Sequence, residues 1–262
     1  MMTNSINKLH GIWAEGRCAL NGWIAAPSAI TAQAMAAARW DALTVDLQHG
    51  TADYHDLLTL LPIIEASGSS PLVRVPWLDE AIIMRVLDAG AMGVIAPMIE
   101  TADQAARLVA ACRYPPEGGR SFGPVRARFS WPADYSVASA NASVLAFAMI
   151  ETRAAVEAVD DIVAVPGLSG IYIGPSDLAL SYGHPPRFDS EVAEIVELIA
   201  LIRRKTAEAG IRCGLHCGTS AYAVKAAGWG MDLVTVGSDA RFVEAGAAEA
   251  TTAFRDGLAA QR

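Results

Sequence analysis

The run "AFAMIETRAAV", residues 146 to 156, is apolar or small until Glu151 ends it, with Thr152 and Arg153 directly behind. An unpaired carboxylate taken out of water costs several kcal/mol, on the order of the net stability of a whole domain, so a carboxylate in this setting implies a cation. A second apolar stretch closes on "GPSDL" (174 to 178), which carries Ser176 and Asp177. Similar polar interruptions stand at Asp46 and His49 in "VDLQHG", Arg74 in "VRVP", Glu100 in "PMIET" and His216 in "GLHC". Taken singly, each has an ordinary structural role: an ion pair for Arg74, a turn for His49, a helix cap for Ser176. Together, two carboxylates with a histidine and an arginine across one opening suit a hard divalent ion and an anionic small molecule.

The elements that must bring these residues together are eight short aliphatic runs: 18–25, 42–48, 71–76, 93–98, 144–150, 170–174, 212–217 and 233–237. Ala-rich, helix-length stretches separate them. Strands alternating with helices in a chain of 262 residues predict a parallel (β/α)₈ barrel of the TIM-barrel class, one domain over residues 1–262 with no linker. An open doubly wound sheet is the other reading, but no G-x-G-x-x-G or Walker pattern supports it, and no nucleotide is expected. In such barrels the active site forms at the C-terminal strand ends, where the polar residues above fall. The longest irregular piece, residues 113–135, is expected either to fold over the mouth or to be a surface excursion.

Glu151 and Asp177 are too few for a structural cage, which leaves coordination positions for water and substrate, as suits Mg²⁺ or Mn²⁺ with Co²⁺ as a further option. Cys213, His216 and Cys217 have the look of zinc ligands, yet alternation along a strand turns His216 away from both cysteines. Backbone amides at Ser176 and Asp177 open a helix and are candidates to hold a substrate carboxylate. Four cysteines without a C-x-x-C pair read as free thiols. A net charge of -8 disfavours nucleic acid and anionic membrane as partners. No apolar run reaches membrane-spanning length and the first ten residues lack a signal-peptide core, so a cytoplasmic location is expected. Lys8, Lys205 and Lys225 are the chain's lysines, and none falls in a predicted strand, which closes any route through a Schiff base on a strand-borne lysine.

The segments "VDLQHG", "VRVPW", "VLDAGAMGVIAPMIETADQA", "RYPPEGGRSFG", "MIET" and "IYIGPSDLALSYG" resemble, in order and spacing from about Gly22 to Asp239, the metal-dependent class II pyruvate aldolases. That is the 4-hydroxy-2-oxoheptanedioate and 2-dehydro-3-deoxyglucarate aldolase family. The resemblance implies that a divalent ion held by Glu151 and Asp177 stabilises the enolate of a pyruvate-type 2-oxoacid, which then adds to an aldehyde. It implies Arg74 on the keto oxygen, His49 in acid-base chemistry, Asp46 and Asp88 near that histidine, and Trp23, Ser176 and His216 among the substrate contacts. Glu100 matches no family ligand. A homohexamer with exchanged C-terminal helices is implied too, with Asp88 reaching a neighbour's site. The chain departs from its relatives at Gln48, where they usually carry Glu, and at His216, where many carry an aliphatic residue, so a different acceptor preference is expected. Two alternatives stand beside the aldolase: a cousin acting on acyl-CoA thioesters or hydrolysing C–C or C–P bonds, and a non-catalytic barrel that binds a keto acid.

Overall fold

The computed structural model describes residues 6–130 and 135–261. Its strands are β1 (Ala19–Ile24), β2 (Ala42–Asp46), β3 (Ser70–Arg74), β4 (Gly93–Ala96), β5 (Leu145–Ile150), β6 (Gly170–Ile173), β7 (Arg212–Cys217) and β8 (Leu233–Val236). Each agrees with a predicted run to within two residues. All pair in parallel and in sequence order, and β8 returns to β1, so the sheet closes into a barrel. A closed parallel sheet is covered on both faces, which is why its strands read as nearly unbroken apolar runs. Trp23, Leu72, Ile95, Phe147, Tyr172 and Leu233 turn inward and fill the bore. Their neighbours Val45, Val73, Val94, Ala148 and Ile171 turn outward against the helices. Cys213 and Cys217 belong to this outer layer while His216 faces the interior, as strand alternation requires.

The helices after the strands start at the mouth, where side chains satisfy their free amide ends. Asp53 caps Tyr54–Ala66, Asp79 caps Glu80–Asp88, and Thr101 caps Ala102–Cys112. At the opposite end the short helix Lys8–Ala14 plugs the bore with Leu9, Ile12 and Trp13. Buried Asn7 ties this plug to three segments: its Nδ2 donates to Met92 O at 3.0 Å and Ser143 O at 3.1 Å, and its Oδ1 accepts from Ser70 Oγ at 2.9 Å.

The described part of the long segment 113–135 does not cover the mouth; residues 131–134 lie outside the described residues. Asn141 clamps Tyr114 by its backbone N–H and C=O, and Arg126 donates to Ala89 O and pairs with Glu65. Both partners of Arg126 sit where helices end, beside the N-terminal strand ends, so the segment lies at the closed end. Connections that follow a helix return the chain to that end, whatever their length. The last helix, Asp239–Ala259, buries Asp239 alone and leaves Phe242, Val243, Phe254 and Leu258 exposed. Among the described residues no helix is long and apolar enough to cross a membrane.

Replacing Asn7 by Ala removes three buried hydrogen bonds, those to Met92 O, Ser143 O and Ser70 Oγ. We expect a loss of roughly 2 kcal/mol in urea unfolding, with the barrel otherwise intact by circular dichroism.

Candidate active site

Parallel register places Asp46 directly beside Arg74 at the tops of β2 and β3. The two form a bidentate pair, Arg74 Nε to Asp46 Oδ1 at 2.8 Å and Nη2 to Oδ2 at 2.6 Å. Trp23 Nε1 donates to the same carboxylate at 3.2 Å, and the amides of Gln48 and His49 close the set. Burial pushes the Asp46 carboxyl up, but the Arg74 pair and these donors outweigh it and hold it below the usual carboxylate range. The turn just above is tight: a Cβ on Gly50 would meet Asp46 O at 2.2 Å. It leaves His49 exposed with no hydrogen bond to its ring among the described residues. The Oε1 of the neighbouring Gln48 is buried and without a partner.

Glu151 is the first residue past β5 and only 2% exposed. It ion-pairs with no basic side chain among the described residues; its one donor is the amide of Met98, at 2.8 Å. Met98 holds φ at 56°, a left-handed conformation that a side chain resists, and this turns its N–H onto the carboxylate. On the other side, a Cβ on Gly174 would come within 2.5 Å of Glu151 Oε2 and of Met149 Cε, so a larger residue there would have to push both side-chain tips aside. Burial, more than the Met98 bond can offset and with help from the nearby charge of Asp177, pushes the Glu151 carboxyl up to about 7. Asp177 itself is exposed, in the first turn of the helix Pro175–Ser181, whose N-cap Gly174 offers no side-chain cap.

A buried carboxylate short of positive charge, with a second carboxylate beside it and Arg74 beyond, fits a divalent cation at Glu151 and Asp177. The described residues gather no group of three or more His, Cys, Asp or Glu that could hold a metal alone.

Trp23, Asp46, His49, Arg74, Ser176, Asp177 and His216 all line one cavity of about 300 Å³ at the mouth, and Glu151 lies just beneath it against Gly174. Asp88 is not brought there. It ends the helix Glu80–Asp88, near the closed end of the barrel, and Arg120 holds it at 2.6 Å. Glu100 is tied up by Thr152 Oγ1 at 2.8 Å and stays outside the cavity. The sequence reading missed Phe188 and Arg241. Phe188 lies in an irregular stretch that Asp189 fastens to Gly218 N and Thr219 Oγ1. It stacks on His216, ring centroids 4.7 Å apart, under the guanidinium of Arg241. Neither carries a local signal; the one clue to Arg241 is its place just past "VGSD", in the last strand-to-helix turn. His216 is further flanked by Trp23, and burial with the Arg74 charge pushes its imidazole down to about 3, so it is neutral.

A parallel barrel with this constellation at its C-terminal mouth is the layout of a barrel enzyme. Residues 20–244 match the HpcH/HpaI aldolase/citrate lyase family, and the chain belongs to that family. It is 42% identical over 242 residues to a hydroxypyruvate/pyruvate aldolase of Rhizorhabdus wittichii, covering 92% of this chain and 96% of that one. It is 34% identical over 258 residues to a 5-keto-4-deoxy-D-glucarate aldolase of Salmonella arizonae, covering 97% and 100%. The crystal structure of an HpcH/HpaI aldolase/citrate lyase family protein from Burkholderia cenocepacia superposes with a TM-score of 0.87 at 31% identity, covering 95% and 99%. The chain is accordingly a carbon–carbon lyase of the aldolase kind.

In protein stripped of divalent ions, Glu151 keeps its proton up to about pH 7 in the fold, against about 4.5 when unfolded. Its contribution to stability is therefore full below pH 4.5 and lost by pH 7, about 3 kcal/mol in all. Urea unfolding in chelator should show this decline and its absence in Glu151→Gln; parallel profiles for the two proteins would refute the assignment.

Proposed function

We propose that this chain catalyses the aldol addition and cleavage of 4-hydroxy-2-oxoacids, with pyruvate or hydroxypyruvate as nucleophile and an aldehyde as acceptor. The observation that carries this reading is Glu151, buried without a paired cationic side chain among the described residues, beneath a cavity lined by an exposed histidine and by an arginine that Asp46 holds in place. Glu151 and Asp177 would hold a divalent ion, Mg²⁺, Mn²⁺ or Co²⁺, which would supply positive charge to stabilise an enolate.

Arg74 spends Nε and one Nη2 proton on Asp46, which leaves Nη1 to donate to the keto oxygen as negative charge develops there. Asp46 thereby fixes the guanidinium before substrate arrives, so little reorganisation remains for the reaction. His49 takes a proton from the carbon next to the ketone. The carbon's electron pair attacks the aldehyde carbon, a C–C bond forms, and the aldehyde oxygen receives the proton back; such transfer contributes roughly 10²–10⁴ in rate. Ser176, Trp23 and His216 border the space left for the two substrates. A lysine cannot replace this machinery: Lys8 donates to Gly68 O, Lys205 pairs with Asp160, and Lys225 lies over Tyr222 and Trp229.

A cousin acting on acyl-CoA would want a basic patch at the mouth, and Arg120 and Arg126 of the long segment do not supply it, being paired with Asp88 and Glu65 away from the mouth. The non-catalytic alternative has no use for an exposed, unpartnered His49. We further place the enzyme in the cytoplasm, which suits four free thiols, and assemble it as a hexamer. The unsupported last helix favours that assembly. So does an apolar groove of about 270 Å³ lined by Leu20, Trp40, Val224, Val234 and Val236, where an eighth outer helix would otherwise pack. Asp88, linked through Arg120 and Tyr114 to exposed Phe122, is then offered to a neighbour's mouth.

Deuterium exchange into the pyruvate methyl, dependent on added Mg²⁺ or Mn²⁺, tests the donor half. His49→Ala should lose at least 100-fold of the exchange and still bind Mn²⁺ by calorimetry, while Glu151→Ala or Asp177→Ala should lose the ion; full exchange in His49→Ala would rule out its role. Removal of residues 246–262 should convert the hexamer to smaller species by light scattering.

A further inference from the structure

Four polar side chains form a buried line beneath the mouth that takes no part in the proton transfer above: Asn21 on β1, Thr235 on β8, Tyr172 on β6 and His216 on β7. Register sets Asn21 beside Thr235 and Thr235 beside His216. The direction of the hydrogen bonds can be followed from one end. One terminal atom of the Asn21 amide lies 3.1 Å from two backbone carbonyls, Gly22 O and Ala42 O, which can only accept, so that atom is assigned as the nitrogen. The amide oxygen therefore faces Thr235 Oγ1 at 2.8 Å and accepts that hydroxyl's proton. The reverse orientation would oppose oxygen to oxygen at both carbonyls. Thr235, its proton committed, accepts from the Tyr172 hydroxyl at 2.5 Å. Tyr172, its proton committed in turn, accepts at 3.1 Å, and the group facing it is Nδ1 of His216. That nitrogen carries the proton. A neutral imidazole then has a bare lone pair at Nε2, which makes no bond among the described residues and is not sealed from the cavity that His216 lines.

We propose that the Asn21–Thr235–Tyr172 line locks His216 as the Nδ1–H tautomer and presents Nε2 to the acceptor substrate, selecting aldehydes that carry a hydroxyl group. This rests on the aldolase reading and names the substrate class of its second half. A bare nitrogen accepts a proton donor and disfavours groups that only accept, so neither the aldehyde oxygen nor a carboxylate settles there. Those oxygens are left to Arg74 and Arg241, the cations facing His216 across the cavity, with Asp46 the facing acid. Trp23 edge-on at 4.8 Å and Phe188 at 4.7 Å fix the ring plane, so the lone pair points one way. Tyr172, Thr235 and Asn21 are positioning residues; His216 touches the substrate.

The holoenzyme labelled with ¹⁵N-histidine should show a pyrrole-type Nδ1 and a pyridine-type Nε2 for His216, assigned by its loss in His216→Leu. Glycolaldehyde should move the Nε2 resonance toward the hydrogen-bonded range, and acetaldehyde should not. With pyruvate as donor, the ratio of kcat/KM for glycolaldehyde over acetaldehyde should fall roughly tenfold in His216→Leu and in Tyr172→Phe, and recover in part in His216→Gln. The opposite tautomer, or an unchanged ratio in His216→Leu, overturns the proposal. Absent pyruvate exchange in the parent enzyme would overturn the reaction instead, and the spectrum with and without glycolaldehyde would still decide the tautomer and its ligand.

Discussion

A carboxylate in a low-dielectric pocket with no cationic side chain against it is the constraint around which the mouth is organised. The local geometry accommodates Glu151 at some expense: Met98 adopts a left-handed backbone to supply one amide, and Gly174 gives up a side chain so that the carboxylate fits. Neither concession improves the packing of the barrel. Both make room for a carboxyl group that no basic side chain among the described residues pairs with.

Asp46 shows what the same fold does with an acid it has fully compensated. Five hydrogen bonds converge on its two oxygens, two of them from a guanidinium. The result is a carboxylate held ionised in the interior, whose work is to hold Arg74. One acid is satisfied and rigid, the other deficient and waiting, and Arg74 stands between their two fields. That difference in compensation, more than the identity of any one residue, divides the cavity into a part that positions and a part that binds.

The barrel and most of the cavity could be read in advance because strand ends interrupt long apolar runs with polar residues, and that contrast survives in one dimension. Asp46, Arg74, Glu151 and Asp177 were all visible in this way. Gln48 and His216 were visible as departures from a family pattern, without their surroundings. Asp88 was misplaced relative to its own chain's cavity because a helix carries its last residue to the far end of the barrel, some nine residues from the mouth where it began. The long segment was open to either end for the same reason: its length says nothing about which side of the sheet it leaves. Phe188 and Arg241 could not be anticipated, since an irregular stretch has no periodicity to fix a side chain's direction. Tyr172 was hidden in plain view, one aromatic in an apolar strand, its hydroxyl meaningful only against Thr235 across the bore.

The last helix has two unlike ends. Its opening turn is woven into the mouth, where Asp239 grips the amides of Ala25 and Ala26 and Arg241 walls the cavity, while its remaining turns stand clear of the barrel. A stiff rod rooted in the rim of the cavity transmits whatever grips its free end, so a small torque there would tilt the Arg241 wall and change the width of the cavity.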